Sequence, residues 1–241
     1  FVDVPTDCPQ RDERLGWTGD AQVFFRTASF LGRVDNFFNK WLADLKVEQR
    51  SDGRVPRVIP DTYCAGDYRT AATGWADAAT IVPWNHYMAY GHIQILEQQY
   101  DSMKGWVDYM VSQSKDRGWL WNNGSHYGDW LFYSLSNDPG GQSAVTSSHL
   151  VAQCFFAHSA DIVCRTAKLL GKQADADYYA DVASKVRKAY MDEYVTPNGL
   201  ISSDTQTAYV LALQFNMLPE HLRAQALDRL IENIERYDNH I

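Results

Sequence analysis

The joints between the helix-forming stretches of this chain alternate strictly between short and long, and that alternation constrains its architecture more than any other feature. Eight stretches carry apolar residues at i, i+3 and i+4 spacing: 20–31, 34–50, 77–98, 101–115, 147–170, 175–190, 204–216 and 219–237. Joints near Gly32, Tyr100, Gly171 and Leu218 are only a few residues long, so each pair folds back as an antiparallel hairpin. The others, 51–76, 116–146 and 191–203, are long, and residues 1–19 lead into the first helix. In consecutive hairpins this pattern sends every long loop to the same end of the molecule. No run shows convincing strict alternation, so the class is all-α. Four hairpins decorated at one end describe an incomplete arc of an α/α toroid, with the N-termini of its inner helices facing a central cleft.

Local signals agree with this outline. Asp20 and Asp204 suit N-caps, Gly32 and Gly171 follow helix ends, and Pro219 suits a first turn. Strand is expected only as short hairpins within loops, for instance where Trp119 and Trp121 alternate in a Gly-bounded segment. The long loops hold Asp7, Arg11, Glu13, Trp17, Asp61, Asp67, Trp75, Trp119, Trp121, His126, Asp129 and Trp130. Loops of this length are usually functional or disordered, and Trp-rich ones are seldom disordered.

Composition excludes several classes of function. Net charge is −8 with dispersed basic residues, which argues against a nucleic-acid or anionic-membrane partner. No apolar run approaches the roughly 20 residues that span a bilayer, so membrane insertion is not expected. The four cysteines, Cys8, Cys64, Cys154 and Cys164, show no metal spacing. Cys154 and Cys164 fall in an apolar helical stretch and read as small buried thiols. His86, His92, His149 and His158 lie in helices and read as structural, leaving His126 as the histidine of interest. There is no phosphate loop, no nucleophile elbow and no calcium loop, and nothing implies a cofactor. The compartment stays open.

The N-terminal segment from Asp7 to Asp20 packs Asp7, Arg11, Asp12, Glu13, Arg14 and Asp20 around Trp17, just ahead of a helix. Carboxylates and guanidinium groups make paired hydrogen bonds to vicinal hydroxyls, and an indole packs on the apolar face of a pyranose. Glycoside hydrolysis needs a carboxylic acid that stays protonated, and neighbouring carboxylates beside a dry aromatic wall raise a pKa in that way. The same residues also fit a capped, ion-paired helix entry, with Arg11 and Arg14 against Asp12 and Glu13. Local chemistry leaves both readings open.

The string DCPQRDERLGWTGDAQ resembles the signature of glycoside hydrolase family 78, the α-L-rhamnosidases. The later segments GWADAATIVPW and YGDWL fall in the order and rough spacing of that family. The resemblance spans most of the chain and thins after about Tyr190. It implies an (α/α)6 barrel, a rhamnose-containing glycoside or polysaccharide as partner, and inverting hydrolysis of terminal α-L-rhamnose. It places the general acid on Glu13 and the sugar-hydroxyl contacts on Asp7, Arg11 and Asp20, with Trp17 lining the pocket. Trp75, Asp129 and Trp130 match substrate-binding positions from later loops, and Asp77 is either a further contact or an N-cap. The implied general base is a second Glu beyond Ile241; Glu232 and Glu235 sit on one face of the last helix and read as solvated.

On this basis residues 1–241 are expected to be part of one catalytic domain, truncated before its last hairpins. Alone they are expected to be inactive and to expose apolar helix faces. Two alternatives remain: another α/α-toroid glycosidase, for instance on a glucoside, or a non-catalytic sugar-binding helical domain.

Overall fold

The computed structural model describes residues 15–62, 71–130 and 145–239. The helices in these segments are α1 (Thr18–Leu31), α2 (Asp35–Glu48), α3 (Ala78–Tyr90), α4 (Gln94–Ser114), α5 (Ser148–Leu169), α6 (Gln173–Tyr194), α7 (Gln206–Gln214) and α8 (Glu220–Arg236). Extended pairing takes the form of isolated bridges, among them Trp17 with Val58 and Val195 with Ile201. The all-α class stands, and no hairpin forms at Trp119–Trp121.

Helix contacts define two layers. α1 packs on α3, α3 on α5 and α5 on α7, so the first helices of the four hairpins form one continuous inner wall. α4 and α6 back onto α3 and α5, α2 onto α3 and α4, and α8 onto α7. Burial follows the layers: α5 buries 14 of its 22 residues, whereas α6, of equal length, buries 8. A helix buried on most sides belongs inside, and one with a single apolar stripe belongs outside. Phe25 of α1 meets Phe38 of α2 edge to face at 4.7 Å, closing the first hairpin. The core continues through Trp41, Trp106, Trp121 and Phe156, all essentially solvent-free. Trp41 donates its indole N–H to the Ile59 carbonyl, as a buried indole must find an acceptor.

Two boundaries differ from expectation. The second hairpin turns at Gly91 rather than near Tyr100. Gly91 adopts a left-handed conformation with φ 73° and donates its N–H to the Tyr87 carbonyl, a common helix stop. Tyr100 lies instead inside α4, where its hydroxyl donates to Asp175 at 2.7 Å. Neither Asp20 nor Asp204 is an N-cap. Asp20 is the third residue of α1, and the cap position belongs to Trp17. Thr205 caps α7 through its hydroxyl, which accepts from the Ala208 N–H, an arrangement worth about 1 kcal/mol. Asp204 receives the Tyr209 hydroxyl at 2.7 Å.

The long connections gather at one end as the alternation requires. Thr18 donates its N–H to the Arg57 carbonyl, joining the first loop to the second. Arg57 reaches Tyr127 and Thr73 reaches His126, joining the second to the third. The Thr146 and Thr205 hydroxyls meet at 2.7 Å, joining the third to the fourth.

Candidate functional site

The site is built where the first three long loops meet the start of α1. Trp17 occupies the cap position of α1 in an extended conformation, held by its bridge to Val58. The Arg57 guanidinium lies over its ring, 5.3 Å from the centroid. From there Arg57 Nη1 donates to the Tyr127 hydroxyl at 2.6 Å. Tyr127 in turn packs on Trp75, with centroids 4.5 Å apart, and on Trp130 at 5.2 Å in an edge-to-face arrangement. Trp17, Trp75 and Trp130, from three different loops, therefore line one wall, with Arg57 and Tyr127 as the links between them.

Trp75 is placed by close contact with α1. A side-chain carbon at Gly19 would fall 2.9 Å from the Trp75 Nε1 and 3.0 Å from two further ring atoms. Only glycine there lets the indole lie flat on the first helical turn, next to the exposed carboxylate of Asp20. That carboxylate sits where the positive end of the α1 dipole favours negative charge. Trp130 is 40% exposed and presents ring surface outward, while Trp17, Trp75 and Tyr127 are half-buried.

Asp129 uses both carboxylate oxygens on Thr146, accepting its N–H at 3.2 Å and its hydroxyl at 2.8 Å. This contact ties the loop bearing Trp130 to the entry of α5. Asp7, Arg11 and Glu13 lie outside the described residues, as do Asp67, Cys8 and Cys64. Asp61 is held at the root of its loop, paired with Arg50 at 2.5 Å.

Other sequence candidates are tied into the fold by contacts of their own. Asp77 is fully buried and accepts three hydrogen bonds, from Gly74 N–H, Trp106 Nε1 and Ser159 Oγ. Burial pushes its pKa up, and those donors oppose the shift. Trp121 belongs to the core, edge-on to Trp106 and Phe156. His126 accepts the Thr73 N–H at Nδ1 and donates from Nε2 to the Asn123 carbonyl. Burial pushes its pKa down to about 4, so it is neutral at pH 7. Cys154 and Cys164 are buried free thiols. Among the described residues no three His, Cys, Asp or Glu side chains group as metal ligands, and no helix is long and apolar enough to cross a membrane.

Sequence reasoning gave no role to Arg57 or to Tyr127. Tyr127 stood within a quoted motif, but Arg57 had no signal: its partners Trp17 and Tyr127 lie 40 and 70 residues away along the chain.

An arc of α-hairpins whose inner-helix N-termini carry aromatic-rich loops defines the class of six-hairpin glycosidase domains. This chain belongs to the bacterial alpha-L-rhamnosidase 6 hairpin glycosidase domain family, whose model matches residues 1–241. It is 42% identical over 241 residues to an alpha-L-rhamnosidase of Streptomyces avermitilis, covering all of this chain and 22% of that protein. It is 40% identical over 243 residues to an alpha-L-rhamnosidase of Formosa agariphila, covering all of this chain and 25% of that one. Thus the chain spans about a quarter of the length of these relatives. A crystal structure of the S. avermitilis enzyme complexed with L-rhamnose superposes with a TM-score of 0.86 at 42% identity, over 99% of this chain and 22% of that one. The native α-L-rhamnosidase of Aspergillus terreus gives 0.91 at 35% identity, over all of this chain and 28% of that one.

Proposed function

We propose that these residues form part of the active site of an α-L-rhamnosidase that hydrolyses terminal α-L-rhamnosides with inversion. The observation that carries this reading is the wall of Trp17, Trp75 and Trp130 around the start of α1, five residues after Glu13. Rhamnose, a 6-deoxy sugar, presents an apolar methyl and C–H faces that suit such a wall. The names of the relatives and the rhamnose complex of one of them support the same substrate class.

In this mechanism Glu13 is the general acid. Its carboxyl donates a proton to the glycosidic oxygen as the bond to the leaving group breaks. Asp7, Arg11 and Asp20 bind ring hydroxyls, and Trp17, Trp75 and Trp130 pack on the apolar surfaces. Asp129, with lone pairs left beyond its contacts to Thr146, binds a hydroxyl while bracing the loop of Trp130. The base is a second carboxylate that we place after Ile241, in the part of the relatives this chain does not span. It activates water on the opposite face, with the two carboxyl groups about 6.5–9.5 Å apart.

The test is rhamnose release from a rhamnosyl disaccharide by the full-length enzyme, wild type against Glu13→Gln. We expect a loss of about 10²–10⁴-fold in kcat with unchanged thermal stability. Near-normal turnover in the variant removes Glu13 from the mechanism. First-formed product in the α-configuration, read by NMR, overturns inversion.

A further inference from the structure

The turn that carries Trp75 is held from three sides. Gly74 has φ +82° and donates its N–H to Asp77 Oδ2 at 2.8 Å. Its carbonyl accepts Gln22 Nε2 of α1 at 3.2 Å. Thr73, one residue earlier, is tied to His126 of the third loop. The two oxygens of Asp77 have separate duties. Oδ1 accepts from Trp106 of α4 at 2.9 Å and from Ser159 of α5 at 2.7 Å, and Thr80 stands 2.7 Å behind Ser159. Oδ2 accepts the Gly74 N–H. One oxygen is anchored in the helical core, and the other reaches out to the loop.

We propose that Asp77 is a positioning residue for the sugar site: through Gly74 it registers Trp75 against Tyr127 and α1, using the α4–α5 core as its reference. This rests on the reading of Trp75 as part of the sugar wall. A merely structural Asp77 would affect stability in proportion to its hydrogen bonds, whichever oxygen was perturbed. A positioning Asp77 makes the Oδ2 contact matter for substrate binding and the Oδ1 contacts matter for stability.

Asp77→Asn separates the two. Its single oxygen is kept on the Trp106 and Ser159 side by two donors, which leaves the amide NH2 facing the Gly74 N–H, donor against donor. Ser159→Ala removes an Oδ1 donor and leaves the Gly74 contact in place. In the full-length enzyme acting on a rhamnosyl disaccharide, we expect Asp77→Asn to raise KM about tenfold with kcat within about threefold. Ser159→Ala should lower the melting temperature at least as much while KM stays at the wild-type value. Trp75→Ala should raise KM as well, and adding Asp77→Asn to it should give no further rise, because the first change acts through the second.

Wild-type KM in Asp77→Asn, or an equal rise in Ser159→Ala, overturns the proposal while the sugar-wall reading stands. Wild-type KM in Trp75→Ala removes the sugar wall itself, and the proposal falls with it. Should Asp77→Asn fail to fold, Gly74→Ala perturbs the same turn without touching the core. Its added carbon meets nothing within 4 Å among the described residues but is strained at φ +82°. The same KM rise is expected there, and an unchanged KM contradicts the proposal.

Discussion

The inner helices α1, α3, α5 and α7 have two ends built from the same chain by opposite means. At their C-terminal ends the joints are three to five residues long and are held by scattered polar contacts and, at Phe215, by stacking on His158. The Val34 N–H donates to the Tyr90 hydroxyl at 3.2 Å, and Asp175 takes the Tyr100 hydroxyl and Lys104. A cavity of about 520 Å3 opens there beside Ile93, Glu97, Tyr100, Leu170 and Lys172. At the N-terminal ends, long loops meet through rings and a guanidinium, and the wall of Trp17, Trp75 and Trp130 results. The cavity at the short-joint end has a charged rim, and its one ring, Tyr100, is covered by Lys104 and Lys172 at 5.8 and 5.2 Å. Volume alone does not make a sugar site; exposed aromatic faces beside oriented polar groups do.

The sharpest way to break this contrast is to truncate the two ends separately. Trp130 is 40% exposed and makes one edge-to-face ring contact, so Trp130→Ala is expected to cost about 1–2 kcal/mol of stability. It should nonetheless raise KM for a rhamnosyl disaccharide about tenfold, because the proposed function has this ring packing on substrate. A smaller effect is expected at the link between loops. Arg57→Lys keeps the charge but loses the planar fork that spans Trp17 and Tyr127, and should raise KM several-fold, about 1 kcal/mol. Tyr127→Phe should add little on top of it, which a double-mutant cycle reads directly.

Acid should loosen the loop end in a defined window. Burial holds His126 down at about 4 in the folded state, against about 6.5 when unfolded. Between those values the unfolded chain binds a proton that the folded chain does not, so stability is full above pH 6.5 and falls as pH drops toward 4. At pH 5 the loss from this group is at most about 2 kcal/mol. Melting curves from pH 7 to 5 should therefore fall less steeply in His126→Gln than in wild type. His158, stacked on Phe215 and also pushed down to about 4, contributes the same sign away from the loops. The least effect on catalysis is expected at the other end. Tyr100→Phe loses the hydrogen bond to Asp175, about 1–2 kcal/mol of stability, with KM and kcat unchanged. A rise in KM there would undo the contrast.

Much of this arrangement was legible in the sequence because it depends on short-range patterning. Joint lengths alone place the long loops together, and the Trp residues in those loops go separate ways, Trp119 lying half-buried beneath Lys185. Trp17, Trp75 and Trp130 reach the wall, while Trp121, in a similar Gly- and Asn-rich context, turns into the core. Nothing local distinguishes Trp121, since its fate depends on Trp106 and Phe156 arriving from α4 and α5. The misplaced joint has a similar cause. The polar run Gln98–Asp101 looks like a break, yet Gln99 and Tyr100 are buried against neighbours, and Gly91 ends the helix within an otherwise continuous apolar pattern. The cap at Thr205 was hidden by the adjacent Asp204, whose carboxylate is taken by Tyr209. Arg57 and the two-sided role of Asp77 were out of reach because both are defined by contacts between distant segments.

The most direct test is to locate L-rhamnose by crystallography in the full-length enzyme. The account predicts the sugar against Trp17, Trp75 and Trp130, with the α face of its anomeric carbon, where the leaving oxygen of a substrate sits, turned toward the Glu13 carboxyl. A sugar bound at the short-joint end beside Tyr100 and Lys172, or one whose anomeric carbon lies out of reach of Glu13, would contradict it.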